Sequence, residues 1–342
     1  MSQSARDAKG KSLHASNRTC GCELCACRRF ETLAERDRRG DALETVACWR
    51  CGLVSHARIP TDDELAHYYE EEYRQDYNGE ETPSPRRVVR EWDRGRQRFQ
   101  QLQPFVAPGE RVFEIGAGIG CNLKHFELAG FDASGIEPGL GFGQFSREQL
   151  HAHVRPGFWR DVPAAPAYDI VLLIHVLEHL NSPSQALRHI RQLLRPGGRL
   201  FIEVPNLAAP HAAPNKLFHY AHIYNYTPWS LAMLARASGF EVTRVFSHER
   251  DRNLALLLTR AHEFTLQVDP DSYVKTLRAA ALANDWQLDW HKFDGLCKQA
   301  AETTRDNKHT AAIQAYSQAI TAMMSVVRTV KKKKPSDSDV VL

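Results

Sequence analysis

The 342-residue sequence contains no apolar run approaching the ~20 residues a helix needs to cross a bilayer. Its opening stretch, MSQSARDAKGKSLHASNRT, is polar and lacks the apolar core of a secretion signal. Nor does one sign of charge dominate. Lysine and arginine number 44 against 41 aspartates and glutamates, and a net charge of +3 is too small to make nucleic acid or an anionic membrane the main partner. What remains is a soluble chain, 43% hydrophobic and 25% charged, long enough for one catalytic domain with appendages and expected in the cytoplasm.

Cysteine is distributed unevenly. Six of the eight lie between Cys20 and Cys51, and in a reducing compartment such crowding points to metal more often than to disulfides. Cys22-Glu-Leu-Cys25 and Cys48-Trp-Arg-Cys51 are two C-x-x-C pairs. Each pair puts two thiolates on one tight turn, and two turns complete a closed tetrahedral zinc site with no position left for water or substrate. Cys22, Cys25, Cys48 and Cys51 are the expected ligands of a structural zinc, with Cys20 and Cys27 able to exchange with the first pair.

The chain divides by texture into a disordered segment 1–19, a zinc-binding module 20–59 and a helical connector 60–104. A catalytic domain 105–263, a helical extension 264–330 and a disordered tail 331–342 follow. The connector holds Tyr68, Tyr69, Tyr73 and Tyr77, candidates for lining a substrate entrance. It also holds a run from Arg86 to Arg98 suited to a solvated helix face or a diphosphate, on a helix interrupted by Gly95. From Arg111 the pattern becomes strand–helix alternation, that of a doubly wound, mostly parallel α/β sheet. RVFEI, ASGIE, HAHVRP, DIVLLI and RLFIEV read as strands, and FEVTRVFSH with NLALLLT as a closing antiparallel hairpin. The extension has a partial likeness to one tetratricopeptide unit, which would pack on the main domain or on a partner protein.

Glu114-Ile-Gly116-Ala117-Gly118-Ile-Gly120 sits at the first strand-to-helix junction. Glycines there let backbone approach a ligand closely, and the helix start supplies free N–H groups. Nicotinamide enzymes use a similar loop, but here Cys121 takes the place of their third glycine. Glu114 precedes the loop, where it can accept hydrogen bonds from the amino-acid end of S-adenosylmethionine (SAM). Glu137 ends the second strand, where a carboxylate can take both ribose hydroxyls.

On these residues, with YDIVLLIHVLEHL, LLRPGGRLFIEVPN and ASGFEV following in order, the sequence resembles class I SAM-dependent methyltransferases from about Val112 to Arg260. The resemblance implies a seven-stranded Rossmann-like sheet, Asp161 on the adenine amino group, Phe158 or Trp159 against its ring, and His175 beside the cofactor. The tract CELC…CWRCGLVSHARIPTDDELAHYYEEEYR is similar to the front module of bacterial methyltransferases acting on sugars, nucleotide-sugars and surface polysaccharides. In that group the module helps cover the substrate.

Methyl transfer to oxygen or carbon needs a base with a pKa near the working pH, and histidine suits it. His175, His179, His219 and His222 are the candidates. His222 matches the base of sugar C-methyltransferases and His179 another active-site histidine, whereas His219 and Ala221 stand where that group has tyrosine and glutamate. No Asn-Pro-Pro-Tyr motif follows the fourth strand, which weighs against planar nitrogen acceptors. The expected function is methylation of a small, carbohydrate-containing acceptor. The alternatives are an RNA or protein methyltransferase gripping its polymer through the zinc module, and a non-catalytic scaffold that keeps the fold.

Overall fold

DIVLLI is apolar at every position, as a strand covered on both faces must be. It lies at the centre of a sheet, and the other elements arrange around it. In the computed structural model, residues 20–68, 82–209, 217–248, 251–261, 266 and 268–282 are described. They contain strands β1 (Phe30–Arg36), β2 (Ala42–Cys48), β3 (Val54–His56), β4 (Arg111–Ile115), β5 (Asp132–Ile136), β6 (Val154–Arg155), β7 (Tyr168–Ile174), β8 (Leu194–Pro205), β9 (Tyr224–Asn225), β10 (Phe240–Val245) and β11 (Asn253–Arg260). The helices are α1 (Asp62–His67), α2 (Pro85–Leu102), α3 (Cys121–Leu128), α4 (Leu140–Glu148), α5 (Pro183–Leu193), α6 (Pro228–Ala237) and α7 (Ser272–Leu282).

The main sheet has seven strands in the order β10-β11-β8-β7-β4-β5-β6. Strands β4 to β8 run parallel, and β11 is antiparallel to both β8 and β10. The mixed seven-stranded sheet with a terminal hairpin is the one expected from sequence. Parallel strands leave their carboxyl ends and the following loops along one edge, where ligands bind in open α/β sheets. The strand-end residues Glu114, Glu137, His175 and Glu203 project their chemistry from that edge.

The cysteine-rich segment forms a second sheet, β1-β2-β3-β9. Its last strand comes from the part of the chain that forms the main sheet, with Val54 paired to Asn225 and Ser55 to Tyr224. The two regions also share one core. Phe30, Val46 and Leu53 pack in the same buried cluster as Val171, Leu187, Tyr224 and Leu231. A second cluster, with Leu123, Phe126, Ile170 and Phe201, includes side chains of the opposite sheet face and of α3.

Helix α2 is not interrupted at Gly95 as its sequence suggests. It runs unbroken from Pro85 behind a Ser84 cap, because Gly95 is where it crosses α3. A Cβ there would stand 3.0 Å from the Cys121 carbonyl oxygen, so the glycine permits contact between helices instead of ending one. After the catalytic part, α7 returns to the cysteine-rich sheet. Tyr273 stacks on Trp49 with ring centres 5.5 Å apart, and Trp229 Nε1 donates to Thr276 Oγ1 at 3.0 Å. The expected disordered ends, the tetratricopeptide-like stretch beyond α7, and Tyr69, Tyr73 and Tyr77 lie outside the described residues. No helix among the described residues is long and apolar enough to cross a membrane.

Candidate functional site

Strand β4 ends at Ile115, and the backbone then turns through Gly116 and Gly118, both at positive φ (73° and 54°). Side-chain-bearing residues rarely adopt this conformation. The two glycines differ in what surrounds them. A Cβ on Gly116 would strike Val176 at 2.5 Å, whereas one on Gly118 would meet nothing within 4 Å. Gly118 is therefore the position that opens toward a ligand, and Gly116 is small for the sake of packing against the β7 loop.

Around this loop Glu137 accepts from Gly118 N at 2.8 Å through one carboxylate oxygen and from Gly139 N at 2.7 Å through the other. The carboxylate is thus already fixed at the end of β5. Glu114 is buried, and its Oε1 accepts from Asn122 Nδ2 at 2.6 Å. Its Oε2 has no hydrogen-bond partner among the described residues. Burial pushes its pKa up to about 8, against the opposing pull of Asn122 and Arg98. A buried carboxylate oxygen without a donor is costly, and the ammonium of an amino-acid ligand would satisfy it. The glycine cradle, the bare Glu114 oxygen and the pre-set Glu137 fit SAM. Asp161 Oδ2 accepts from Phe158 N at 2.7 Å and caps its own short turn. Of the two aromatic candidates, Phe158 is exposed. Trp159 is buried with its ring against His189 and Arg160.

Beyond β7 the chain brings four histidines together. His175 takes a left-handed backbone conformation (φ 52°). Its Nδ1 lies 3.3 Å from Glu178 Oε1 and its Nε2 3.2 Å from Glu203 Oε1. Burial disfavours its charge, but the two carboxylates outweigh this and hold its pKa up to about 9. This favours the charged form of His175, held between Glu178 and Glu203. His179, His219 and His222 are the reverse. Burial depresses all three, His219 to about 3 and His222 well below the ordinary range, and their mutual proximity adds to the effect for His219 and His222. The His219 and His222 rings are centred 3.8 Å apart, and those of His179 and His222 4.9 Å apart.

The segment carrying His219 and His222 is held by the cysteine-rich sheet. His56 on β3 donates its backbone N–H to Ile223 O at 2.9 Å, and its ring is hydrogen-bonded to the carbonyls of His219 and His222. Next to them is a cavity of about 260 Å³ whose lining includes Arg38, His219, His222, Asn225, Arg252 and Asn253. Arg38 comes from the turn between β1 and β2, so the module reaches the pocket as well as supporting it.

Sequence reasoning missed the polar chain that joins the two halves of the site. Arg98 on α2 is buried and makes a fork to Glu203 at 2.9 and 2.8 Å. It also donates to Asn122 Oδ1 at 3.2 Å, and Asn122 in turn holds Glu114. Asn253 Nδ2 donates to Glu203 Oε1 at 3.0 Å. Burial alone would raise the Glu203 pKa, but Arg98 and His175 hold it well below the usual carboxylate range. Two signals were available: a glutamate inside the apolar strand RLFIEV, and the spacing of Arg98 with Gly95 and Leu102 on the buried face of α2. The reading of Arg98 as part of a solvated or diphosphate-binding run is corrected.

The cysteine cluster forms as its spacing indicates. Cys22 and Cys51 sulfurs are 3.5 Å apart, as are those of Cys25 and Cys48, and all four lie within 4.8 Å of one another. That is far beyond an S–S bond of ~2.05 Å and close to the ~3.8 Å between two thiolates bound to zinc at ~2.3 Å. Cys48 Sγ also accepts from Arg50 N at 3.4 Å. Cys20 is exposed and Cys27 Sγ is paired with the backbone of Arg29, so neither replaces Cys22 or Cys25 in the tetrad.

With this geometry in hand, residues 85–245 match a family model described as a methyltransferase domain. An uncharacterized methyltransferase of Alkaliphilus oremlandii is 32% identical over 94 residues, which cover 27% of this chain and 44% of that protein. A ubiquinone biosynthesis O-methyltransferase of Aeromonas salmonicida is 30% identical over 115 residues, covering 29% and 44%. The chain thus spans less than half the length of these curated relatives. Among solved structures, a Burkholderia thailandensis 1,6-didemethyltoxoflavin-N1-methyltransferase with bound S-adenosylhomocysteine is 18% identical. It has a TM-score of 0.48 and covers 61% of this chain and 96% of that one. The matched residues span strands β4 to β8 and β10 of the main sheet.

Proposed function

We propose that the chain transfers a methyl group from SAM to an oxygen or carbon of a small, anionic, carbohydrate-containing acceptor such as a nucleotide-sugar. The observation that carries the cofactor half is the bare buried oxygen of Glu114 beside the open Gly118 and the fixed carboxylate of Glu137. The acceptor half rests on the neighbouring cavity, where Arg38 and Arg252 suit a phosphate or diphosphate. Methyl transfer from a sulfonium is an in-line displacement, so the protein's work is alignment and exclusion of water. His219 and His222, which line that cavity, are the candidate proton acceptors that an oxygen or carbon nucleophile requires. A structural zinc on Cys22, Cys25, Cys48 and Cys51 would fix the module whose His56 and Arg38 shape the pocket.

The test is SAM binding by calorimetry, followed by turnover with a panel of nucleotide-sugars read as S-adenosylhomocysteine. Submicromolar to micromolar SAM binding with turnover of at least one acceptor is expected. Absence of SAM binding would leave a scaffold. Turnover only with RNA, with binding that weakens steeply in salt, would mean a polymer substrate.

A further inference from the structure

Glu178, His179 and His222 place a carboxylate oxygen and two imidazole nitrogens within 4.8 Å of one another, separate from the cysteine tetrad. Nε2 of His179 stands 3.8 Å from Glu178 Oε1, and Nε2 of His222 stands 3.9 Å from the same atom. Both distances are too long for a hydrogen bond. Ligand atoms around a tetrahedral cation with ~2.1 Å bonds lie ~3.4 Å apart, so each histidine-to-carboxylate distance needs to close by only a few tenths of an ångström.

One further feature favours a cation. Glu178 is 1% exposed, and its Oε2 has no hydrogen-bond partner among the described residues. Such an oxygen is satisfied by a metal as well as by a donor.

We propose that Glu178, His179 and His222 bind one divalent first-row transition-metal cation at the edge of the acceptor cavity. Two imidazoles and one carboxylate form a borderline nitrogen and oxygen set that suits zinc, cobalt, iron or manganese. Three protein ligands leave a position for substrate, and the cavity beside His222 lies where that position would open. The cation's role rests on the methyl-transfer reading, whereas its binding does not. An acceptor hydroxyl bound to the cation loses its proton more readily. Of the histidine pair facing the cavity, His219 then receives that proton. The oxygen lone pair forms the new bond to the methyl carbon, and the carbon–sulfur bonding pair stays with sulfur, leaving S-adenosylhomocysteine.

The probe is Co2+ titrated into the full chain after dialysis against a chelator mild enough to leave the cysteine-bound metal. Binding is followed by calorimetry and visible absorption. One additional equivalent without a thiolate-to-cobalt charge-transfer band is expected, with affinity lowered at least tenfold in His179→Ala and in Glu178→Gln and retained in His219→Ala. No extra equivalent, a charge-transfer band on the only bound cobalt, or unchanged affinity in both ligand variants would overturn the proposal. SAM affinity measured on the same samples confirms that each variant is folded. Its loss in the wild type would sink the methyl-transfer reading while leaving the cobalt result to decide the cation site.

Discussion

The guanidinium of Arg98 grips both carboxylate oxygens of Glu203, 105 residues further along the chain, at 2.9 and 2.8 Å. The fork ties α2 to the carboxyl end of β8 and links, through Asn122 on one side and Glu203 on the other, Glu114 to His175. Removing one partner strands a buried charge, which costs ~3–5 kcal/mol. Arg98→Met should lower unfolding free energy by about that amount, and adding Glu203→Gln should recover part of it. Urea denaturation of the two single variants and the double variant is the check. A fully additive cycle would mean the two residues do not act as a pair.

Glu137 is expected to contribute to cofactor affinity through hydrogen bonds to a charged acceptor, worth ~1.5–3 kcal/mol. Glu137→Ala should raise the SAM dissociation constant roughly ten- to a hundred-fold. Gly118→Ala should also weaken binding, because its new methyl group enters the space that is open at that position. Calorimetry on both variants with circular dichroism as a fold control decides the matter, and unchanged affinity in both would put the cofactor elsewhere.

Metal at the cysteine tetrad should contribute directly to folding of the module. Protein purified without added metal is expected to carry one zinc there, and Cys48→Ser with Cys51→Ser should lose it. Because His56 on β3 holds the segment bearing His219 and His222, the same double variant should also lose turnover. Elemental analysis paired with limited proteolysis of residues 20–59 tests this, and full zinc content in the double variant would contradict it.

Glu114 makes the stability of the ligand-free protein depend on pH. Its folded pKa of about 8 lies above the ordinary 4.5, so the folded state binds the proton more tightly than the unfolded chain. The stability this confers is complete below about pH 4.5 and is lost as pH rises through about 8. The thermal midpoint of the ligand-free protein should fall across that window, and Glu114→Gln should flatten the fall. Scanning calorimetry at several pH values is the measurement, and parallel slopes in both proteins would count against the assignment.

The fold was legible because its signals are local. An apolar β7, a glycine turn after β4 and the two C-x-x-C turns each follow from short-range rules. The cysteine ligand set was legible for the same reason. Arg98 and Glu203 were harder to read: an arginine in a run of arginines resembles a solvated helix face, and only the fold brings it to a carboxylate on a distant strand. The protonation states of the histidines were also hidden. His175 and His179 lie four residues apart in one motif, yet one sits between two carboxylates and the other among neutral rings, and that difference is three-dimensional.

Strand β9, only Tyr224 and Asn225, is supplied by the catalytic part of the chain to complete the sheet of the cysteine-rich module. The boundary near residue 60 is therefore a boundary of texture and not a place where the molecule comes apart. A module transplanted without the stretch around Tyr224 would present β3 as a bare edge, open to pairing with other chains. A catalytic part expressed alone would lose the scaffold beneath His219 and His222. The two regions can be exchanged between related enzymes only as a matched set, with changes at β3 answered by changes near residue 224.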